Sequence, residues 1–265
     1  MNLVLADRDA DGAARAAVEV KGRGVDAIAV PTDVSNLDAV TLLADAAYER
    51  FGSVQLLVSN AAVYRSGPLW EMPPEDWDWL ISVNLKGVIN GLNAFLPRMM
   101  TQSDERHIVM TSSTNGLWIM PGQGAYNTTK YAVVGLAEAL ADDLGPLGIA
   151  VSVICPGPMQ TRLGSSSRPP SMVGQEETPN LPPDTEKLRR MMATWPVLEP
   201  VDAGRIVRHG IEENAFWILT HAQGLEEIEA RHQGLKAAFD RRVADEAKLA
   251  SVLAAGGATP ADPSG

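Results

Sequence analysis

The chain has 265 residues, 45% of them hydrophobic and 21% charged, with a net charge of −11. That size and mixture describe one globular domain with a sizeable core, and the acidic balance argues against nucleic acid as a partner. No apolar run reaches the roughly 18 residues that span a bilayer, residues 1–7 lack a basic leader and a cleavage site, and the single cysteine, Cys155, excludes an internal disulfide and fits a cytoplasmic location without a membrane partner.

Residues 2–6 read as a short strand closed by Asp7, and 10–21 as an alanine-rich helix ending near Gly22 and Gly24. A second strand over 25–30 is closed by Pro31-Thr32-Asp33, and Ser35 or Asn36 caps a helix over 37–51. The apolar run 54–59 is a third strand, followed by Asn60-Ala61-Ala62 and a loop with Gly67 and Pro68. Residues 74–100 read as one long helix carrying Asn84, then come a strand at 107–111, a helix at 123–144 and a strand at 150–154. Strands that are apolar throughout, alternating with helices, are the pattern of a parallel sheet covered on both faces.

From 158 to 183 the composition shifts to Ser, Pro, Gly and Met. The segment follows a strand's carboxyl end, where open α/β sheets bind ligands, and reads either as a lid or as a surface loop. Helices are expected over 184–194 and 201–213, a strand over 216–219, and a helical extension over 225–253. The Gly/Ala/Pro-rich residues 254–265 are expected to be disordered, leaving a single domain over 1–253.

Chemistry concentrates between Ser113 and Lys130. Tyr126 and Lys130 are four apart, so on a helix both project from one face. An ammonium near a phenol favours the phenolate, and a tyrosine tuned this way can exchange a proton near neutral pH. Ser113, just past a strand, can aim its hydroxyl at the same oxygen. By chance alone about one chain of this size in ten carries such a Tyr-x-x-x-Lys pair, and its plain alternative is a solvated helix face. The context of strand, serine, small-residue loop, helix and second strand ending in Pro156-Gly157 sets it apart. The four histidines and Cys155 show no metal spacing, so no metal is expected. The six tryptophans read as core, with Trp118 and Trp195 as candidates for an apolar substrate pocket.

With Ser113, Tyr126 and Lys130 in that order, and an asparagine upstream at Asn84, the segment resembles the short-chain dehydrogenase/reductase family. The resemblance runs from about residue 2 to about 220 and implies a Rossmann-like doubly wound α/β fold. It implies Tyr126 as general acid/base, Lys130 lowering its pKa and holding the nicotinamide ribose, Ser113 binding the reacting oxygen, and Asn84 holding a water relay. Cofactor contacts carry over to Asp7, Asp33, Val34, Asn60, Ala61, Pro156, Gly157 and Thr161. The acid at Asp7 favours NAD over NADP, a preference that the adjoining Arg8 softens. Ser59 and Ala62 depart from the family's Asn-Asn-Ala-Gly run. The implied reaction interconverts a secondary alcohol and a ketone, and the implied assembly is a homodimer or homotetramer through the helices bearing Asn84 and Tyr126.

The family also begins with a strand, a Gly-rich turn and a helix, the turn letting the backbone approach the pyrophosphate. Nothing here matches it; the first strand present resembles the family's second, and the absent strand would be central. Two readings follow. One is an oxidoreductase whose sequence is incomplete at the N-terminus; the other is a non-catalytic scaffold or regulatory member that has lost the pyrophosphate loop.

Overall fold

The computed structural model describes residues 1–173 and 186–256. They fall into two units, Met1–Ala222 and a second beginning at Gln223. In the first unit strands and helices alternate: β1 (Leu3–Asp7), α1 (Ala10–Lys21), β2 (Ala27–Pro31), α2 (Leu37–Phe51), β3 (Leu56–Ser59), α3 (Pro74–Ile81), α4 (Gly87–Met99), β4 (Arg106–Thr111), α5 (Gly124–Leu144), β5 (Ile149–Cys155), the short α6 (Leu163–Ser166), α7 (Glu186–Thr194), α8 (Pro200–Glu212) and β6 (Trp217–Leu219). The second unit is one long helix, α9 (Leu225–Gly256).

Local chemistry accounts for these boundaries. The Asp9 side chain accepts from the amide of Gly12 at the start of α1, and Asn36 accepts from Asp38 and Ala39 at the start of α2, so Asn36 is the cap of the two residues expected there. Gly52 ends α2 in the left-handed conformation, with φ 79°. The long helix expected over 74–100 is interrupted by a π-helical turn, Ser82–Lys86, with Asn84 inside it. A π turn inserts a residue without changing the apolar periodicity on either side, which is why sequence spacing does not reveal it.

All the strand pairings are parallel, but they form two sheets: β1-β2, and β3-β4-β5-β6. Among the described residues β1 has no ladder partner on its side away from β2, and β3 has none away from β4. The two sheets are joined through helices instead. Val40, Ala44 and Ala47 of α2 enter one core with Leu92, Phe95 and Met99 of α4 and with Ile108, Met110, Val151 and Val153 of the larger sheet. The Asn90 side chain donates to the Val34 carbonyl at 2.8 Å. Gly87 lets α4 approach that segment closely, since a Cβ there would stand 2.7 Å from Val34 Cγ2.

Two of the tryptophans read as core are not: Trp70 is 85% and Trp217 41% exposed, whereas Trp118 and Trp195 are buried. Only residues 158–173 of the long loop are described; 174–183, and 184–185 of the helix expected next, lie outside the described residues. Of the C-terminal segment, 254–256 continue α9 and 257–265 lie outside the described residues. No helix of the described residues is long and apolar enough to cross a membrane.

Candidate active site

Every candidate residue but Asn84, the α5 pair and Thr161 lies at or just beyond a strand's carboxyl end. Asp7 ends β1, Asp33-Val34 follow β2, Asn60-Ala61 follow β3, Ser113 follows β4, and Pro156-Gly157 follow β5. Parallel strands bring these ends to one edge.

Ser113, Tyr126 and Lys130 are brought together. A 3-10 turn, Thr114–Gly116, folds the chain back from β4 against α5. The fold-back needs glycine at 116: a Cβ there would collide with Ser112 Oγ and stand 2.7 Å from the Lys130 carbonyl oxygen. The two adjacent serines therefore part company. Ser112 Oγ donates to the Lys130 carbonyl at 2.8 Å, a structural bond, while Ser113 Oγ donates to the Pro156 carbonyl at 3.4 Å and lies close enough to the Tyr126 phenol to lower its pKa. Lys130 Nζ lies 5.5 Å from the Tyr126 ring centroid and donates to the Thr111 carbonyl at 3.0 Å. All three side chains are buried, Lys130 to 1% exposure.

Burial dominates the electrostatics. Desolvation pushes the Tyr126 phenol up to about 12, against a smaller lowering by the Ser113 hydrogen bond. Desolvation also draws the Lys130 ammonium down to about 8, against a smaller raising by Cys155. The expectation that Lys130 brings Tyr126 toward neutrality is thus not met in the chain by itself. The ammonium stands over the ring with its hydrogen bond on Thr111, and the loss of water costs the phenolate more than a nearby charge returns.

Asn84 is fixed by bonds to two neighbouring elements. Its Oδ1 accepts from the Val63 amide at 2.8 Å, and its Nδ2 donates to the Val63 carbonyl at 2.9 Å and to Thr129 Oγ1 at 3.1 Å. Both amide hydrogens are committed, so the side chain clamps the loop after β3 to α5. Thr129, next to Lys130, in turn donates to the Tyr126 carbonyl at 2.9 Å.

The remaining cofactor candidates are set by local bonds. Asp7 accepts from the Asp9 amide and is exposed. Asp33 accepts from the Ser35 amide and hydroxyl, shaping the turn into α2, and Val34 packs on Gly87. Asn60 and Ala61 are exposed, with Asn60 Oδ1 accepting from Thr111 Oγ1 at 3.1 Å. The buried Pro156 carbonyl accepts from the Thr114 amide, holding the β5 exit against the serine turn. Thr161 is exposed, its amide bonded to the Met159 carbonyl.

Several residues of the site escape sequence reasoning. Tyr64 packs edge-on to Tyr126, ring centroids 5.2 Å apart, and its phenol is also pushed up by burial. Its one sequence signal is a place just past Asn60-Ala61-Ala62. A buried amide network, Asn115 Nδ2 to Gln123 Oε1 and Asn127 Oδ1, and Asn127 Nδ2 to the Met120 carbonyl, fixes the loop between Ser113 and Tyr126. His221, hydrogen bonded to Thr220 and the Pro196 carbonyl, lies where a Cβ on Gly157 would meet its ring and stacks on Trp195, which meets Trp118 edge-on. The expectation of a structural histidine suits His221. The loop 158–173 is tied down by Ser167 Oγ, which accepts from the Tyr64 amide, and by Ser171, bonded to buried Asp76, the ion-pair partner of Arg65. Among the described residues no group of three His, Cys, Asp or Glu could hold a metal ion.

Comparison with known proteins agrees with this geometry. The family model described as short chain dehydrogenase matches residues 1–171. The chain is 31% identical over 236 residues to a C alpha-dehydrogenase from Sphingobium sp., covering 88% of this chain and 76% of that protein. It is 29% identical over 229 residues to a CLA biosynthesis dehydrogenase/reductase from Lactiplantibacillus plantarum, covering 84% and 80%. Among solved structures, a short chain dehydrogenase/reductase from Burkholderia phymatum in complex with NAD superimposes with a TM-score of 0.80 at 36% identity, over 90% of this chain and 86% of that one. A fold of parallel α/β units, a serine–tyrosine–lysine cluster and a family match over residues 1–171 leave one conclusion: the chain belongs to the short chain dehydrogenase family of oxidoreductases.

Proposed function

We propose that this chain interconverts a secondary alcohol and a ketone with NAD as its cofactor, Tyr126 moving the proton. The observation that carries the reading is the buried cluster of Ser113 beside the Tyr126 phenol, with the Lys130 ammonium over the ring. A nicotinamide dinucleotide, when bound, supplies the site that accepts or returns a hydride. In reduction Tyr126 gives its proton to the forming alkoxide; with its phenol at about 12 it stands protonated for that task at neutral pH. In oxidation it must take the carbinol proton, and the positive charge of Lys130 is what favours the phenolate form. Ser113 holds the reacting oxygen beside the phenol. Asn84 acts at one remove, by holding Val63 and Thr129 in place.

The nicotinamide half of the cofactor fits the residues present. The Lys130 ammonium is buried with one acceptor, Thr111 O, and has N–H donors to offer a ribose. Pro156, Gly157 and Thr161 follow the carboxyl end of β5, and Asp7 and Asn60 present exposed polar groups at strand ends for the adenosine half. The acid at Asp7 favours NAD over NADP, and the NAD complex of the Burkholderia phymatum relative supports the same choice. For the pyrophosphate the fit is poor: among the described residues no Gly-rich turn stands between β1 and β3. The alternative reading is a non-catalytic scaffold or regulatory role.

Titrating the chain with NAD, followed by tryptophan fluorescence, separates the two. Saturable binding with turnover of a secondary alcohol supports the oxidoreductase. Tyr126→Phe is then expected to abolish turnover with cofactor affinity unchanged within about threefold. No binding at millimolar NAD rejects the catalytic reading for this chain, and activity surviving in Tyr126→Phe rejects the assignment of the proton-transfer group.

A further inference from the structure

Helix α9 carries a surface that the catalytic reading does not use. It spans 32 residues, and every described side chain from Glu229 to Ser251 is exposed. A helix of this kind draws its stability from burying an apolar face, and α9 has one. Leu225, Ile228, Leu235, Phe239 and Leu249 fall on a repeat of alternating three- and four-residue steps, with His232, Arg242 and Glu246 at the positions between. Phe239 is 72% and Leu225 60% exposed. Lys236–Asp240 beside the stripe and Arg242–Glu246 at its C-terminal end are paired along the helix at 2.7 and 3.0 Å.

Charge decides what covers it. A parallel pairing of two copies in register would face Arg242 with Arg242 and Glu246 with Glu246, and set Arg231 across from Lys236. An antiparallel pairing that places Ile228 against the partner's Phe239 and His232 against the partner's Leu235 has none of these conflicts. It sets Glu229 across from the partner's Lys236, twice by symmetry. It also lets the aliphatic stem of the partner's Arg242 cover Leu225. Sliding that pair by one heptad brings His232 opposite the partner's Arg242 and Lys236 beside the partner's Lys236. The favoured register is self-complementary and closes on itself, as a two-fold interface must.

We infer that α9 is an oligomerisation helix that pairs antiparallel with α9 of a second copy of this chain, Ile228 against the partner's Phe239. The pairing is separate from the interface expected through α4 and α5, and it stands whether or not the chain turns over substrate.

The test uses the full chain with single cysteines. Its native Cys155 is fully buried and does not compete. Ile228→Cys and Phe239→Cys are purified separately, then mixed under mild oxidation. In the proposed register a covalent dimer forms in the mixture and in neither variant alone, because equivalent positions lie too far apart for a disulfide. A homodimer from either variant alone, or none in the mixture, overturns the register. Sedimentation supplies a second readout that leaves the apolar stripe intact. Lys236→Glu is expected to weaken association at least tenfold, and Glu229→Lys/Lys236→Glu to restore it. Unchanged association in Lys236→Glu, or no recovery in the double variant, overturns the charge pairing on which the inference rests.

Discussion

Lys130 and Tyr126 hold opposite stakes in the pH of the medium. The Lys130 ammonium, drawn from its ordinary 10.5 down to about 8, sheds its proton in the folded chain while the unfolded chain keeps it. Between those two values the unfolded state therefore binds more protons, and stability rises with pH. The Tyr126 phenol, raised from 10.0 to about 12, and the Cys155 thiol, raised from 9.0 to about 12, act the other way. Their contributions are whole below pH 10 and pH 9 respectively and are lost as pH climbs through 12. The clean window for the lysine is thus pH 7.5 to 9. Urea unfolding across that window is expected to show a gain of about 1 kcal/mol, which Lys130→Met removes; a gain that persists in the variant would place its origin elsewhere. Gly116 is the other residue whose identity the site cannot change. Its missing Cβ is what lets the serine turn lie on the Lys130 backbone, and the atom it would strike hardest after Ser112 Oγ is a carbonyl that cannot yield. Gly116→Ala is expected to cost about 1–3 kcal/mol in thermal unfolding and to move Ser113 off the phenol, lowering turnover even at temperatures where the variant is folded.

At the scale of elements, the π turn between α3 and α4 is what turns Asn84 inward. Both polar groups of the Val63 backbone end on its side chain, and Val63 is buried. Asn84→Ala leaves a buried N–H and C=O without partners, each at roughly 1–3 kcal/mol, so the expected loss is about 2–4 kcal/mol. Asn84→Asp, which still accepts from the Val63 amide but donates nothing, should fall between the two; equal stability of all three by chemical denaturation would remove the clamp. The same contrast shows which parts of this protein are readable without coordinates. The strand ends carrying Asp7, Ser113 and Pro156-Gly157, and the shared helix face of Tyr126 and Lys130, follow from apolar runs and a four-residue spacing, both of them local signals. The loop anchors are not local. Ser167 meets Tyr64 and Ser171 meets Asp76 across about a hundred residues of chain, and no periodicity encodes them. Nor does spacing say which way a charge is spent: that Lys130 bonds Thr111, and that burial pushes the Tyr126 phenol up, depends on how completely the site is desolvated.

For the molecule as a whole, the open question is how two sheets share one unit without a ladder between β1 and β3. Unpaired backbone groups at such a break cost roughly 1–3 kcal/mol each when buried, against a total margin of about 5–15 kcal/mol, so a dry gap would be ruinous. The gap is not dry. No residue of β1 or β3 is fully buried, and Val58 at the middle of β3 is 46% exposed. By contrast six of the seven residues of β5 and three of the six in β4 are buried. Water can therefore satisfy the open edges, and the burden of holding β1-β2 to the rest shifts to α2 against α4 and to the Asn90–Val34 bond. A two-stranded sheet attached in this way is marginal by itself, and its opening should cost less than that of the four-stranded core. Native-state hydrogen exchange is the measurement that sees this difference. Amides of β1 and β2 are expected to exchange at least about tenfold faster than those of β4 and β5, a gap of about 1.4 kcal/mol in opening free energy. Asn90→Ala, which removes the tie to Val34 and touches neither β4 nor β5, should widen that gap by speeding β1 and β2 alone. Uniform protection across all of these strands would mean that the two sheets unfold as one cooperative body, and that the helices couple them as tightly as a shared ladder would.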